Sequence, residues 1–169
     1  TPEFEEKIHQ RIVLPTIAGF QEQNLPFVGF VFIGLIKVGD DPYVIEYNVR
    51  MGDPETEVVL PRVKNDLVEL LSATAKGELN TVDLQVDERS ATTVMLVSGG
   101  YPEAYEKGKE MKGLANESER ILFHAGTQLA GEETLTSGGR VLAVTSFGSD
   151  FRAALEQSYA TIEGISFEG

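Results

Sequence analysis

Residues Val44-Ile45-Glu46-Tyr47-Asn48-Val49-Arg50 decide how this chain is read. Side chains of a strand alternate between faces, so Glu46, Asn48 and Arg50 share one side. Ile45, Tyr47 and Val49 take the other side and are expected to pack into a core. A carboxylate and an amide carbonyl two residues apart are hard oxygen donors suited to Mg²⁺, whose shell is completed by water and substrate phosphates. An arginine on the same face offers a planar fork to phosphate or carboxylate oxygens. Alone, Glu-x-Asn-x-Arg is more simply the solvated face of a half-buried strand. The loop behind it, Gly52-Asp53-Pro54-Glu55, tips the balance, because its tight turn sets two more carboxylates beside that face.

On the N-terminal side, the apolar and β-branched run from Phe27 to Ile36 predicts a strand covered on both faces. Gly39-Asp40-Asp41-Pro42 is a turn, and with the strand that starts at Tyr43 it makes a hairpin. Thr1-Pro2 and the glutamates behind it open a helix whose Phe4, Ile8 and Ile12 share a face up to a break at Pro15. A second short helical stretch carries Ile17 and Phe20. Downstream, Asp66 caps a helix lined by Leu67, Leu70, Leu71 and Thr74 and stopped by Gly77. The polar residues from Gly77 to Glu88 have linker character and place a boundary there, dividing the chain into 1–80 and 81–169.

The second part reads mostly as strands: Ala91 to Val97, Ile121 to Ala125 and Val141 to Thr145, with shorter pieces around Leu129 and Leu135. Ser149 or Asp150 caps a final helix with Phe151, Ala154, Leu155, Tyr159 and Ile162 as its apolar stripe.

The chain has 169 residues, with Asp+Glu 27 against Lys+Arg 14 and a formal charge of −13. Such acidity repels phosphate backbones and excludes general nucleic-acid binding. Without cysteine there is no thiol nucleophile, disulfide or thiolate metal site. The longest apolar stretch, Phe27 to Val38, is short of the roughly 20 residues that span a bilayer. The acidic N-terminus is unlike a signal peptide, so the expectation is a cytoplasmic protein without a membrane partner. A start without Met and an abrupt stop at Phe167-Glu168-Gly169 read as a fragment of a longer protein.

Other motifs read as structure. His124 and His9 have no Ser or Asp constellation around them and are expected to be an edge or core histidine and a surface residue. Ser137-Gly138-Gly139-Arg140 lacks the Lys-Ser/Thr of a phosphate loop and precedes a strand, so it reads as a turn, as does Ser98-Gly99-Gly100. Tyr101 and Tyr105 are expected to pack together. Glu3-Phe4-Glu5-Glu6 and Glu117-Ser118-Glu119 read as solvated faces.

Glu-x-Asn-x-Arg closing a strand resembles the metal-binding strand of ATP-grasp ligases. The longer run Glu46-Tyr47-Asn48-Val49-Arg50-Met51-Gly52-Asp53-Pro54-Glu55-Thr56-Glu57 resembles, more specifically, the glycinamide ribonucleotide synthetases, the phosphoribosylamine–glycine ligases of purine biosynthesis. Phe30-Val31-Phe32-Ile33-Gly34-Leu35 is similar to that family's preceding strand. Further matches follow in order: Ser98-Gly99-Gly100-Tyr101-Pro102 with Tyr105-Glu106-Lys107-Gly108, then Phe123-His124-Ala125-Gly126-Thr127, then Gly138-Gly139-Arg140-Val141-Leu142-Ala143-Val144-Thr145. The family's N-terminal domain, the small ATP-grasp subdomain that clamps adenine and phosphates, and a short closing segment have no counterpart in these residues.

The resemblance implies an α+β fold: the C-terminal part of an ATP-grasp domain (antiparallel sheet with helices), then a small β-rich C-terminal domain closed by one helix. It implies an ATP-dependent carbon–nitrogen ligase, whose substrates are ATP, glycine and 5-phosphoribosylamine and whose metal is Mg²⁺ or Mn²⁺. ATP phosphorylates the glycine carboxylate, and the amine of phosphoribosylamine displaces phosphate from the acyl phosphate. Such chemistry needs positioning and charge neutralisation rather than a nucleophilic side chain. By similarity Glu46 and Asn48 are the metal ligands. Arg50 is the catalytic candidate, on phosphate or substrate carboxylate. Arg50, Asp53 and Glu55 are the cofactor-binding candidates, the last two orienting the phosphoribosylamine or its amine. The fragment is expected to be inactive without the N-terminal domains of its own chain. The alternatives are another ATP-grasp carboxylate–amine ligase and a non-catalytic binding or regulatory module.

Overall fold

The computed structural model describes residues 1–114 and 120–169. The expected acidic face at Glu117-Ser118-Glu119 lies outside the described residues. The fold is α+β, with antiparallel strand pairs throughout and a helix near the C-terminus. Two compact units emerge, one made of Thr1–Gly52 and Asn65–Asp83, the other of Asp53–Lys64 and Leu84–Gly169.

In the first unit, helix α1 (Pro2–Ile8) begins where Thr1 Oγ1 accepts from the Phe4 amide, with Pro2, Glu3 and Glu5 in the first turn. The break expected at Pro15 does not occur. A π-helical turn over His9–Val13 leads directly into α2 (Leu14–Glu22), with Pro15 in its first turn. Proline has no N–H for the i−4 carbonyl, and the wider π turn just before it absorbs that mismatch without ending the helix. Ile12 is the buried residue of this turn.

Strands β1 (Phe32–Val38) and β2 (Asp41–Asn48) form the expected hairpin. Asp41 at its turn receives Lys7 at 3.3 Å and Arg11 at 2.7 Å, which tie the turn to the helices. The hydrogen bonds from Lys7 and Arg11 also hold the Asp41 carboxyl below the usual carboxylate range. Two expectations fail here. The strand begins at Phe32 rather than Phe27, leaving Val28 and Phe30 exposed, and β1 is not covered on both faces. Ile45, Tyr47 and Val49 are 65%, 51% and 70% exposed instead of forming a core. A two-stranded ribbon has no neighbouring strands and needs a layer packed on each face before apolar residues there are buried. Helix α4 (Leu67–Lys76) is capped as expected by Asp66, which accepts from the Val68 and Glu69 amides, and ends at left-handed Gly77.

The second unit carries the core. After α3 (Thr56–Val59), strands β3 (Ser90–Val97), β4 (Arg120–His124) and β7 (Arg140–Gly148) make an antiparallel sheet of order β3-β7-β4. Flanked on both sides, β7 is buried from Val141 to Ser146. Met111, Leu122, Val141, Leu142 and Val144 form the cluster, with Leu96, Ile162 and Phe167 packed around it. A separate hairpin pairs β5 (Thr127–Ala130) with β6 (Glu133–Thr136). Helix α5 (Phe151–Ile162) closes the unit, capped by Asp150, whose Oδ1 accepts from the Ala153 amide.

The buried side of α5 is Ala154, Ser158 and Thr161; of the stripe read from the sequence, Ala154 is buried and Ile162 packs against the core cluster, whereas Phe151 and Tyr159 are 63% and 55% exposed. Small residues win because helix and sheet approach closely. A side chain at Gly148 would run into the Ala154 backbone, and Ser158 hydrogen-bonds Thr92 of β3 at 3.1 Å.

Candidate functional site

The candidate ligands sit at the end of β2, and a bulge aims them. Leu35 pairs with Val44 and Gly34 with Glu46, so Ile45 is an extra residue with no partner on β1. Strict alternation would put Glu46 on the face of Val44. With Ile45 looped out, Glu46 and Asn48 share the face of Gly34 and Phe32 instead. The structure brings these two together: Asn48 Nδ2 donates to Glu46 Oε1 at 2.9 Å. That bond uses the amide nitrogen of Asn48 and leaves its carbonyl oxygen as the donor atom to a cation.

Two hard oxygens on one face fit Mg²⁺ or Mn²⁺ in the manner of sites completed by water and phosphate. They cannot by themselves make a full shell, and no group of three or more His, Cys, Asp or Glu able to hold a metal occurs among the described residues.

Arg50 lies two residues beyond the end of β2, and its Nη1 donates to the Met51 carbonyl at 3.0 Å. Asp53 and Glu55 belong to the second unit. Asp53, joined to Pro54 by a cis peptide, is gripped by Arg140 at the start of β7. Nη2 reaches Asp53 Oδ2 at 2.8 Å and Nη1 the Asp53 carbonyl at 2.9 Å. Glu55 is exposed at the head of α3, its carbonyl accepting from the Val59 amide. A second tie follows at Thr145, whose hydroxyl donates to the Glu57 carbonyl at 2.8 Å and lies 2.9 Å from Thr93 Oγ1.

The sequence reading assigned no role to Arg140, Thr145 or Glu57. Glu57 Oε2 is buried without a hydrogen-bond partner. The signal for Arg140 lay in the glycines before it. A side chain at Gly139 would strike the Tyr101 ring, and the Ser98 amide and hydroxyl bind the Gly139 and Gly138 carbonyls at 2.8 and 2.9 Å. These contacts seat the turn that delivers Arg140. Tyr101 and Tyr105 pack edge to face at 6.2 Å, as expected. His124 is an exposed edge residue bonded to Thr127 Oγ1 at 2.9 Å, and His9 is at the surface. No helix among the described residues is long and apolar enough to cross a membrane.

Residues 1–56 match the family model of the phosphoribosylglycinamide synthetase ATP-grasp (A) domain, and residues 91–169 that of the phosphoribosylglycinamide synthetase C domain. A phosphoribosylamine–glycine ligase of Chlorobaculum tepidum is 42% identical over 100% of this chain and 40% of its own length. The bifunctional purine biosynthetic protein PUR2,5 of Pichia angusta is 43% identical over 99% of the chain and 22% of its own. A chloroplastic phosphoribosylamine–glycine ligase of Arabidopsis thaliana is 41% identical over 100% of the chain and 33% of its own. The crystal structure of the Thermotoga maritima phosphoribosylamine–glycine ligase superposes with a TM-score of 0.77 at 32% identity, over 100% of this chain and 41% of that one. The chain thus spans 40% of the length of the Chlorobaculum relative.

Proposed function

Because the chain belongs to the phosphoribosylglycinamide synthetase family, we propose that it is the C-terminal part of an ATP-dependent carbon–nitrogen ligase. That ligase joins glycine to 5-phosphoribosylamine, giving glycinamide ribonucleotide, ADP and phosphate. The observation that carries this reading is the paired Glu46 carboxylate and Asn48 amide on the last turn-ward residues of β2, inside the segment that matches an ATP-grasp domain. Residues 1–80 contribute the ATP-grasp part and 81–169 the family's C-terminal domain, although Asp53–Lys64 packs into the second unit. The setting is cytoplasmic, without nucleic-acid or membrane partners.

In this reading Glu46 and Asn48 hold Mg²⁺ or Mn²⁺, which when bound supplies neutralisation of the ATP phosphate charge. The glycine carboxylate oxygen takes the γ-phosphoryl group, forming glycyl phosphate and releasing ADP. The phosphoribosylamine nitrogen then bonds to the carbonyl carbon as the C–O bond to phosphate breaks. None of this requires a side-chain nucleophile, in keeping with a chain that has no cysteine. Arg50 turns from the Met51 carbonyl to bind phosphate or substrate carboxylate, since a charged acceptor makes the stronger hydrogen bond. Asp53, held by Arg140, and Glu55 orient the phosphoribosylamine or its amine.

The test is ADP release by the full-length ligase and by this chain, side by side, with Mg·ATP and glycine, with and without phosphoribosylamine. Release by the full-length protein only when both substrates are present, with the chain alone silent, is the expected result. Silence from both would remove glycine as the substrate and turn the reading to another ATP-grasp carboxylate–amine ligase or a non-catalytic module.

A further inference from the structure

We propose that Gly34 is a positioning residue for the Glu46–Asn48 pair, the bulge at Ile45 laying the Glu46 side chain across β1 where β1 has no side chain. The inference rests on the metal-ligand reading of Glu46 and Asn48 for its consequence, though not for its geometry. Two observations carry it. The first is register: Glu46 is the cross-strand partner of Gly34, and the unpaired Ile45 beside it puts both candidate ligands on the Gly34 face. The second is clearance: a methyl group added at Gly34 would stand 3.0 Å from Glu46 Cγ and 3.7 Å from its backbone nitrogen and oxygen.

No left-handed backbone explains the glycine, because Gly34 is not among the glycines with positive φ. Glycine in a strand weakens it and commonly marks a bulge or a close approach. Here what approaches is the side chain of Glu46, whose Cγ passes over Gly34 and whose carboxylate accepts from Asn48 at 2.9 Å. A residue with a Cβ at position 34 makes that side chain give by a few tenths of an ångström, which lengthens the 2.9 Å bond to Asn48 and shifts the carboxylate relative to the amide. Ligand geometry for a small divalent cation is held within about 0.5 Å, so a shift of this scale uses up much of that margin and weakens metal binding without abolishing it.

The experiment compares Gly34→Ala with wild type in two preparations. In the isotopically labelled 169-residue chain without metal, the Asn48 side-chain amide resonances are followed by NMR. In the full-length ligase, the Mg²⁺ concentration for half-maximal activity is measured. Expected are displaced Asn48 side-chain resonances and a roughly tenfold higher Mg²⁺ requirement, with activity recovered at saturating Mg²⁺, the scale of change seen when groups supporting metal ligands are altered. Gly19→Ala, whose methyl meets nothing within 4 Å, is the control and leaves both readings unchanged. Unchanged Asn48 resonances and an unchanged Mg²⁺ requirement in folded Gly34→Ala would overturn the proposal. If Gly34→Ala fails to fold, wild type decides: a nuclear Overhauser contact between Gly34 Hα and Glu46 Hγ supports the inference and its absence refutes it. Full activity of Glu46→Ala at ordinary Mg²⁺, with displaced Asn48 resonances in Gly34→Ala, would sink the metal reading while leaving the positioning of Glu46 intact.

Discussion

Replacing Thr145 by valine tests whether the segment carrying Asp53 and Glu55 is seated by β7. Thr145 is fully buried, and its hydroxyl has one hydrogen, so it donates to the Glu57 carbonyl at 2.8 Å and accepts from Thr93 at 2.9 Å. Valine keeps the shape and removes both bonds. Each buried polar group left without a partner costs about 1–3 kcal/mol. The added methyl returns about 0.8 kcal/mol, and half-buried Thr93 can turn toward another acceptor. The net loss is therefore about 1–2 kcal/mol, or a Tm lower by about 5–15 °C in a unit of about a hundred residues. Serine keeps the hydroxyl and sacrifices only a methyl group. Amide hydrogen exchange separates the two. Thr145→Val accelerates exchange at the Glu57, Val58 and Val59 amides, which bond to the Pro54 and Glu55 carbonyls, while Thr145→Ser does not. A Thr145→Val chain that melts within about 2 °C of wild type with unchanged exchange would refute the reasoning. So would serine opening the segment as fully as valine.

Further outcomes follow from other residues. On the proposed reading of Glu46 as a metal ligand, Glu46→Ala in the full-length ligase lowers turnover by about a hundredfold or more at ordinary Mg²⁺; near-normal turnover would count against that reading. Asp87, hydrogen-bonded by the Arg89 side chain and backbone, has its pKa lowered from 3.8 to about 2. A carboxylate with a depressed folded pKa stabilises the fold above its unfolded value and loses that contribution as pH falls from about 4 to about 2. Acid unfolding followed by circular dichroism should accordingly move to higher pH in Arg89→Met, and an unmoved transition would contradict the assignment. For Arg140 and Asp53, side chains 39% and 51% exposed, a double-mutant cycle with Arg140→Met and Asp53→Asn should give a coupling of about 0.5–1 kcal/mol by denaturant unfolding. Zero coupling would mean that the pair does not seat the loop.

Where the sequence was legible, local chemistry was sufficient. Asp66 and Asp150 cap their helices because a short carboxylate reaches amides two or three residues ahead, and Gly77 ends α4 because it accepts a left-handed backbone. The central strand over Val141–Thr145 could be read because five successive buried residues leave no polar face. The errors fall where a second element decides. Pro15 ends a helix only if nothing upstream widens, and the π turn at His9–Val13 does so. Of the apolar stripe of α5, Ala154 and Ile162 pack inward, but Phe151 and Tyr159 do not, because Gly148 permits a close contact that the small residues of the helix fill. Arg50 stands two residues past the end of β2, where the strand period no longer fixes its face.

The sequence by itself determined that Glu46 and Asn48 share a face, since they stand two residues apart on a strand, and alternation is a property of the chain alone. It also determined the ligase family, because the ordered motifs from Glu46 to Thr145 are a matter of residue identity. Only the tertiary structure decided which face Glu46 and Asn48 take, for a bulge is a relation between two strands and leaves no period in either. In the same way it decided that Asp53 answers to Arg140, a partner 87 residues away. Spacing along a chain carries no information about such a contact until the sheet has brought β7 to it.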